Sequence, residues 1–452
     1  MTGARPYVWS SWASAAAQPD RIAVIAGDER STFAELTTRA DAIAAGLQDR
    51  GVPEGAVLLC DLDTGPDFFA VALAALRYGY GLFPVTRSRL ATPGGAAMAH
   101  QASSGYGITD GARRHPTGGP TWFDHHELAA AGGSPAPAAR AGHLVFSTSG
   151  TTGEPQAVAR ARPRRPYRGV AVQERYGAGL HRGPFVMANP TYHLGTLGPA
   201  LYALDAGSAV VVQRSWSPGE FAELADRHAA DSAMLSPDRL LDVAESGIAP
   251  RRRLAVVFHG GAACPPRVKR AALDLLGPVL HEYYGTSHST MTEIGAAEWM
   301  RRPGSVGRPL PGVQLTIVRD GRELPAGGIG EVVVRLRATD RGSAAAPPIR
   351  TGDLGLLDSD GYLTVLGRLD EDGDGTSALL EHRIRLLPGV ADAAVVDGRC
   401  YVEHGRQDGP VPADRIARLV AELGRPGLEI VAARAGTLPR TPSGKIRRSA
   451  LA

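Results

Sequence analysis

Residues 143–155 read His-Leu-Val-Phe-Ser-Thr-Ser-Gly-Thr-Thr-Gly-Glu-Pro: an apolar strand that breaks abruptly into hydroxyls and glycines. Glycine lets backbone N–H groups come close to phosphate oxygens, and Ser and Thr hydroxyls add further donors. Ser147, Thr148, Ser149, Gly150, Thr151, Thr152 and Gly153 are therefore expected to form a phosphate-binding loop. It is not a Walker-type loop, because no G-K-[ST] follows. The same order of strand, polar or glycine loop and helix recurs outward from here. GSAVVVQ (207–213) is a strand after a glycine turn. LAVVFHGG (254–261) ends in glycines before the helical PPRVKRAALDLLG, and VLHEYYGTS (279–287) again runs from strand into loop. This alternation predicts an α/β fold whose large N-terminal domain holds parallel-rich sheets with packed helices. In such sheets ligands sit at the loops beyond the C-terminal strand ends, where these motifs fall.

Past residue 305 the pattern changes. VQLTIV, GEVVVRL and YLTVLG alternate between Gly, Asp and Pro turns, which predicts a small antiparallel β unit. GRLDEDGDGTS (367–377) is acidic and glycine-rich and reads as a linker. The helix and strand signals beyond it (ALLEHRIRLL, ADAAVV, ADRIARLVAEL, LEIVAA) predict a small α+β domain. The expected division is 1–368 and 369–452, with the hinge at Asp370.

Composition narrows the function. The chain has 452 residues, and its 56 glycines and 34 prolines follow no strict period, which excludes collagen-like and low-complexity polymers. A net charge of +3 is too small to mark a nucleic-acid surface. The longest apolar run, Phe68 to Leu76, falls well short of the roughly 20 residues that span a bilayer, and no signal-peptide pattern opens the chain. Three widely spaced cysteines, Cys60, Cys264 and Cys400, suit a reducing compartment. The expectation is a cytoplasmic protein that binds neither nucleic acid nor membrane. Of 49 cationic residues only two are lysine, Lys269 and Lys445. Where arginine serves as the general cation, a lysine marks a place that needs a compact ammonium.

Taken together the motifs resemble those of the adenylate-forming superfamily: acyl- and aryl-CoA synthetases, peptide-synthetase adenylation domains and luciferases. STSGTTGEP resembles the family's signature loop, and further matches follow in family order. Thr32-Phe33-Ala34-Glu35-Leu36 resembles "TYAEL", and Ala75-Leu76-Arg77-Tyr78-Gly79 with Phe83-Pro84 resembles the segment after it. Asn189-Pro190-Thr191-Tyr192-His193 resembles "P-x-x-H", Tyr284-Gly285-Thr286-Ser287 "YGxTE", and Arg350-Thr351-Gly352-Asp353 "YxTGD". Gly367-Arg368-Leu369-Asp370 resembles the hinge "GRxD", and Leu438 to Lys445 the C-terminal "LPxTxxGK".

The resemblance implies ATP and Mg2+ as cofactors and an adenylate intermediate. It places Asp353 on the ribose hydroxyls, Arg368 beside it and Tyr284 at the adenine. Gly285, Thr286 and Ser287, with Gly261 and Ala262, complete the nucleotide site. His193, His259, Gly260 and Tyr283 wall the acid pocket. Lys445 resembles the family's mobile lysine, whose ammonium would stabilise the charge that builds at the α-phosphate and on departing pyrophosphate.

Three departures bear on chemistry. Gln156 stands where the family usually has lysine, and the following arginines (Arg160, Arg162, Arg164, Arg165, Arg168) are candidates to replace that cation. His288 stands where the family usually has the Mg2+-holding glutamate; imidazole suits Mg2+ poorly, and Glu293 lies nearby as a substitute. The segment Gly367 to Glu381 is about five residues short of the family form, which helps to build a pantetheine tunnel. The leading expectation is an ATP-dependent ligase that activates a small aryl or short-chain acid, indicated by Tyr192, Tyr283 and Trp299, and passes it to CoA or a carrier-protein thiol. The alternatives are transfer to an amine or alcohol, a nitrite-activating diazotase acting on an aryl amine, and a non-catalytic nucleotide-binding relative.

Overall fold

The computed structural model describes residues 10–111, 119–130, 132–147, 157–161, 183–192, 194–286, 289–336, 347–369, 375–404, 412–425, 427–434, 436–439 and 446–451. The chain forms two compact units. The first comprises Met1–Met234, Pro250–Val256 and Ser287–Ser289, and the second comprises the rest through Ala452.

The first unit is built on two sheets. One contains β1 (Ile22–Ala26), β2 (Glu29–Thr32), β9 (Phe185–Met187), β10 (Val210–Val212) and β11 (Ser232–Leu235), in the order β11-β9-β10-β1-β2. The other contains β3 (Val57–Asp61), β4 (Gly81–Pro84), β5 (Tyr106–Thr109), β6 (Thr121–Asp124), β7 (His143–Ser147) and β8 (Ala157–Ala161), in the order β6-β5-β3-β4-β7-β8. Both are parallel except for one antiparallel edge, β1–β2 in the first and β7–β8 in the second. Parallel strands need crossover helices. The helix Pro66–Arg77 follows β3, and its PDFFAVALAALR is buried at Pro66 and from Phe68 to Leu76, as a helix covered on several sides must be. The helix Phe33–Asp49 starts on a complete capping box, with Thr32 accepting from Glu35 N–H and the Glu35 carboxylate from Thr32 N–H. The TFAEL motif is thus at least in part a helix start.

In the second unit β12 (Val256–Gly260) pairs parallel with β13 (Leu280–Gly285), across the helix Pro266–Leu276. β14 (Thr290–Gly295) and β15 (Arg308–Pro309) continue antiparallel. The expected antiparallel unit follows: β16 (Val313–Arg319), β17 (Arg322–Glu323), β18 (Gly330–Leu336), β19 (Ile349–Leu357) and β20 (Leu363–Arg368), ordered β17-β16-β18-β19-β20. Its core gathers Met291, Leu315, Ile317, Val332, Val334 and Leu363.

The C-terminal stretch has a core of its own. The helices Thr376–Arg385 and Ala413–Glu422 pack with β21 (Val390–Val396), β22 (Arg399–His404) and β23 (Glu429–Ala433) around Leu380, Ile384, Val390, Val402 and Ile416. β22 was not anticipated: only Cys400, Val402 and Glu403 of RCYVEH are buried, so its period-two signal is weak. Ala378 of the first helix joins Leu354 and Leu366 of the antiparallel unit. All three cysteines are free thiols. Among the described residues no helix is long and apolar enough to cross a membrane.

His382 makes that helix sensitive to acid. Its ring rests on Gly304, where a Cβ would sit 2.7 Å from ring atoms. Burial, reinforced by Arg385 and Arg383, pushes the imidazole down from 6.5 to about 4. Below pH 6.5 the unfolded chain therefore binds a proton that the folded chain refuses. This contribution to stability is complete above about pH 6.5 and is lost toward pH 4, by up to about 3 kcal/mol. Urea titrations should show His382→Gln flattening the pH dependence across that window; an unchanged slope would assign it elsewhere.

Candidate active site

The second unit brings three predicted nucleotide residues into direct contact. Tyr284 Oη donates to Asp353 Oδ2 at 2.6 Å, and Arg368 Nη1 donates to Asp353 Oδ1 at 2.8 Å and to the Thr351 carbonyl at 3.2 Å. Asp353 and Arg368 are register partners across β19 and β20, so the sheet itself sets their pairing. The turn before Asp353 is fixed independently. Thr351 Oγ1 donates to the Val332 carbonyl at 2.8 Å and accepts the Asp353 N–H at 3.0 Å. Glu331, buried and ion-paired with Arg350, accepts the Gly352 N–H at 3.1 Å. Gly352 has φ +68, and a Cβ there would lie 2.8 Å from the Arg368 guanidinium, so conformation and space both call for glycine.

The electrostatics keep the Tyr284 phenol protonated. Burial, with the Asp353 carboxylate adding to it, raises the Tyr284 phenol far above its ordinary value, so it remains a donor. Each Asp353 oxygen has one protein donor and a second lone pair to offer. Arg368 Nε is buried and has no partner among the described residues. One acceptor pair and one spare donor side by side can hold vicinal hydroxyls.

Beside the trio lie the C-terminal ends of β12 and β13. Gly260 faces Tyr283, and a Cβ at Gly260 would come 2.5 Å from the Tyr283 carbonyl and 3.0 Å from its ring. Gly261 follows with φ +81, and with Ala262 it forms the loop out of β12. Gly285 ends β13, and Thr286 follows it. Strand pleating puts Gly260, Tyr283 and His281 on one face and His259 on the other, because Gly260 pairs with Tyr283 and His259 with Glu282. His259, expected beside Tyr283 in the acid pocket, is instead fully enclosed with Lys269 and Glu282. Burial first, and the Lys269 charge second, hold its imidazole neutral, and neither ring nitrogen has a partner among the described residues.

Lys269 is the feature whose place the sequence did not reveal. It is fully buried on the helix Pro266–Leu276, its Nζ is 2.7 Å from Glu282 Oε2, and the Trp299 ring lies 4.8 Å away. Trp299 is itself 2% exposed, so it serves this buried pair rather than presenting itself as a pocket wall. Near-absence of lysine elsewhere was the available signal; the identity of its partner was not.

Glu293 stands opposite Tyr283 in register, with its carboxylate 3.3 Å from His281 Nε2. Among the described residues, the one group of three metal-type ligands is Asp67, His125 and His126, in the first unit. There Arg39 already supplies a cation, 2.7 Å from Asp67 and 3.0 Å from His126. Ser147 ends β7 as expected. Thr148–Gly153, Gln156, the arginines from Arg162 to Arg168, His193, Ser287, His288, Asp370 and Lys445 lie outside the described residues.

Two α/β sheets, an antiparallel unit carrying the Tyr284–Asp353–Arg368 cluster, and a small C-terminal α+β element are the parts of an adenylate-forming enzyme. The chain belongs to the AMP-binding enzyme family, whose model matches residues 11–342. It is an ATP-dependent, AMP-forming acid ligase of that class. Triostin synthetase I of Streptomyces triostinicus is 29% identical over 434 residues, covering 83% of this chain and 79% of that one. O-succinylbenzoate coenzyme A synthetase (MenE) of Bacillus subtilis, solved with AMP, superposes with a TM-score of 0.76 at 22% identity, over 99% of this chain and 98% of that one. The amide bond synthetase McbA of Marinactinospora thermotolerans gives a TM-score of 0.73 at 25% identity, over 95% and 96% of the two chains.

Proposed function

We propose that the protein activates a small aryl or short-chain carboxylic acid and transfers it to the thiol of CoA or a carrier protein. A carboxylate oxygen of the acid attacks the α-phosphorus of ATP, the bond to the β-phosphate oxygen breaks, and pyrophosphate leaves. The Tyr284–Asp353–Arg368 trio carries this reading, because it supplies acceptors and a spare donor suited to ribose hydroxyls. Gly260 and Tyr283 are assigned to the acid pocket, Ser147–Gly153 to the phosphates and Lys445 to the developing charge. Mg2+ is commonly held by one or two carboxylates plus substrate phosphates. Glu293 offers one such carboxylate, and the metal would neutralise phosphate charge when bound. A hinge near Asp370 between residues 1–368 and 369–452 belongs to the same proposal; the stretch beyond it has a core cluster of its own, although Ala378 also packs on Leu354 and Leu366.

A second reading keeps adenylation and ends on an amine. Only residues 369–375 separate β20 from the next helix, which leaves little chain for a tunnel-building hairpin. Similarity to an amide bond synthetase favours the same reading. ATP–pyrophosphate exchange across aromatic acids, aliphatic acids and nitrite tests the activity, and exchange with none of them would remove it. AMP release with CoA, a carrier protein or an amine then separates the acceptors. Asp353→Ala should weaken ATP binding by about 1.5–3 kcal/mol, the worth of a charged hydrogen-bonding partner. Unchanged affinity by calorimetry would remove the ribose assignment.

A further inference from the structure

The C-terminal stretch is organised around one carboxylate. Glu381 is 1% exposed and saturated. Arg448 Nη1 donates to its Oε1 at 2.6 Å and Arg448 Nη2 to its Oε2 at 2.8 Å. The Val395 N–H also donates to Oε1 at 2.6 Å, and Arg385 Nη2 to Oε2 at 3.1 Å. Arg385 is held in turn by Asp392 at 2.7 Å and by the Ala393 carbonyl at 2.6 Å, while Arg448 reaches the Val395 carbonyl at 3.1 Å. A fork-to-fork arginine–carboxylate pair on a buried, fully bonded carboxylate fixes direction as well as distance.

The neighbouring backbone is pinned too. Leu438 is 5% exposed, and the Arg447 N–H donates to the Pro439 carbonyl at 2.7 Å. Tyr401 Oη donates to the Leu451 carbonyl at 2.9 Å. Pro439 and Arg447 are thus hydrogen-bonded to each other on either side of residues 440–445, which lie outside the described residues. Lys445 lies between them, three residues from Arg448 and so within about 11 Å of chain from it.

We propose that Arg448, clamped on Glu381, is a positioning residue for Lys445: it fixes the root from which the ammonium reaches the reacting phosphate. This rests on the assignment of Lys445 to adenylation. A misplacement of about 1 Å costs on the order of a hundredfold in rate, whereas ground-state nucleotide binding, made by other residues, is spared.

With an acid that the native enzyme activates, Arg448→Gln should lower kcat of pyrophosphate exchange ten- to a hundredfold and leave KM for ATP within twofold. Arg448→Lys, which keeps one charged contact, should recover most of the loss. On a Lys445→Ala background Arg448→Gln should change the residual rate less than twofold, because it acts through the lysine. A full loss on that background, or an unchanged kcat on the native one, would overturn the proposal. A second measurement needs no substrate. A lysine-specific protease has two sites in this chain, and Lys269 is buried, so cleavage after Lys445 is read alone. Arg448→Gln should speed that cleavage at least fivefold, and equal rates would also overturn the clamp. If no acid supports exchange in the native enzyme, the adenylation reading fails while the protease comparison still decides whether Arg448 holds this loop.

Discussion

Lys445→Ala should leave ATP binding near its native affinity and slow adenylate formation about a hundred- to a thousandfold, the usual cost of removing one donor aimed at transition-state charge. The lysine has little to bind in the ground state that other groups do not hold already. As the acid oxygen closes on phosphorus and pyrophosphate departs, negative charge accumulates where an ammonium can follow it, so the loss belongs in kcat. Arginine is the sharper control. A chain that uses guanidinium for all but two of its cations would be expected to use it here as well, had it served. Lys445→Arg should therefore remain impaired, because a planar fork with five donors is not a compact point charge. Single-turnover acyl-AMP formation alongside equilibrium ATP binding separates the two effects. A Lys445→Ala enzyme with native turnover would mean that the C-terminal loop takes no part in catalysis.

That Tyr284, Asp353 and Arg368 belong together was legible in the sequence, because each sits in a short motif whose local structure also places it. Thr351-Gly352-Asp353 is a turn held by its own threonine, and Arg368 closes the strand that pairs with Asp353. The antiparallel unit was legible for the same reason, since alternating strands between glycine turns state their own pairing. Interactions that join distant positions were not legible. Glu381 and Arg448 are 67 residues apart, and nothing in either segment names the other. His259 shows a different limit. It sits next to Gly260 in the sequence, yet one residue of strand turns a side chain to the opposite face, and only the register with β13 shows that His259 lies with Glu282 rather than with Tyr283.

The same register explains why Lys269→Met should be the most destabilising single change in the second unit, at about 3–5 kcal/mol. The ammonium has no solvent at all and is 2.7 Å from a carboxylate only 6% exposed. Burial raises the Glu282 carboxyl, and Lys269 is the main group opposing that rise, with His281 a smaller one, so removing the lysine lets burial dominate. The carboxyl must then stay charged in an apolar setting or take up a proton. A carboxyl raised in the folded state binds its proton more tightly there than in the unfolded chain. Stability is then lost as pH rises above the unfolded value. The deficit of Lys269→Met should accordingly be largest at neutral pH and shrink in acid, as urea midpoints at pH 7 and 5 can show. Replacing both partners with apolar side chains of similar volume, Lys269→Met with Glu282→Leu, should recover most of the stability, because the pair's own desolvation cost disappears with it. A single variant within about 1 kcal/mol of native would mean that the pair is already relieved by solvent. Because Glu282 directly precedes Tyr283 and Tyr284 in β13, ATP affinity in the double variant shows whether the pair also holds the nucleotide strand in place. Native affinity there would assign Lys269 to stability alone, whereas weakened affinity in a stable double variant would give Lys269 a part in holding ATP.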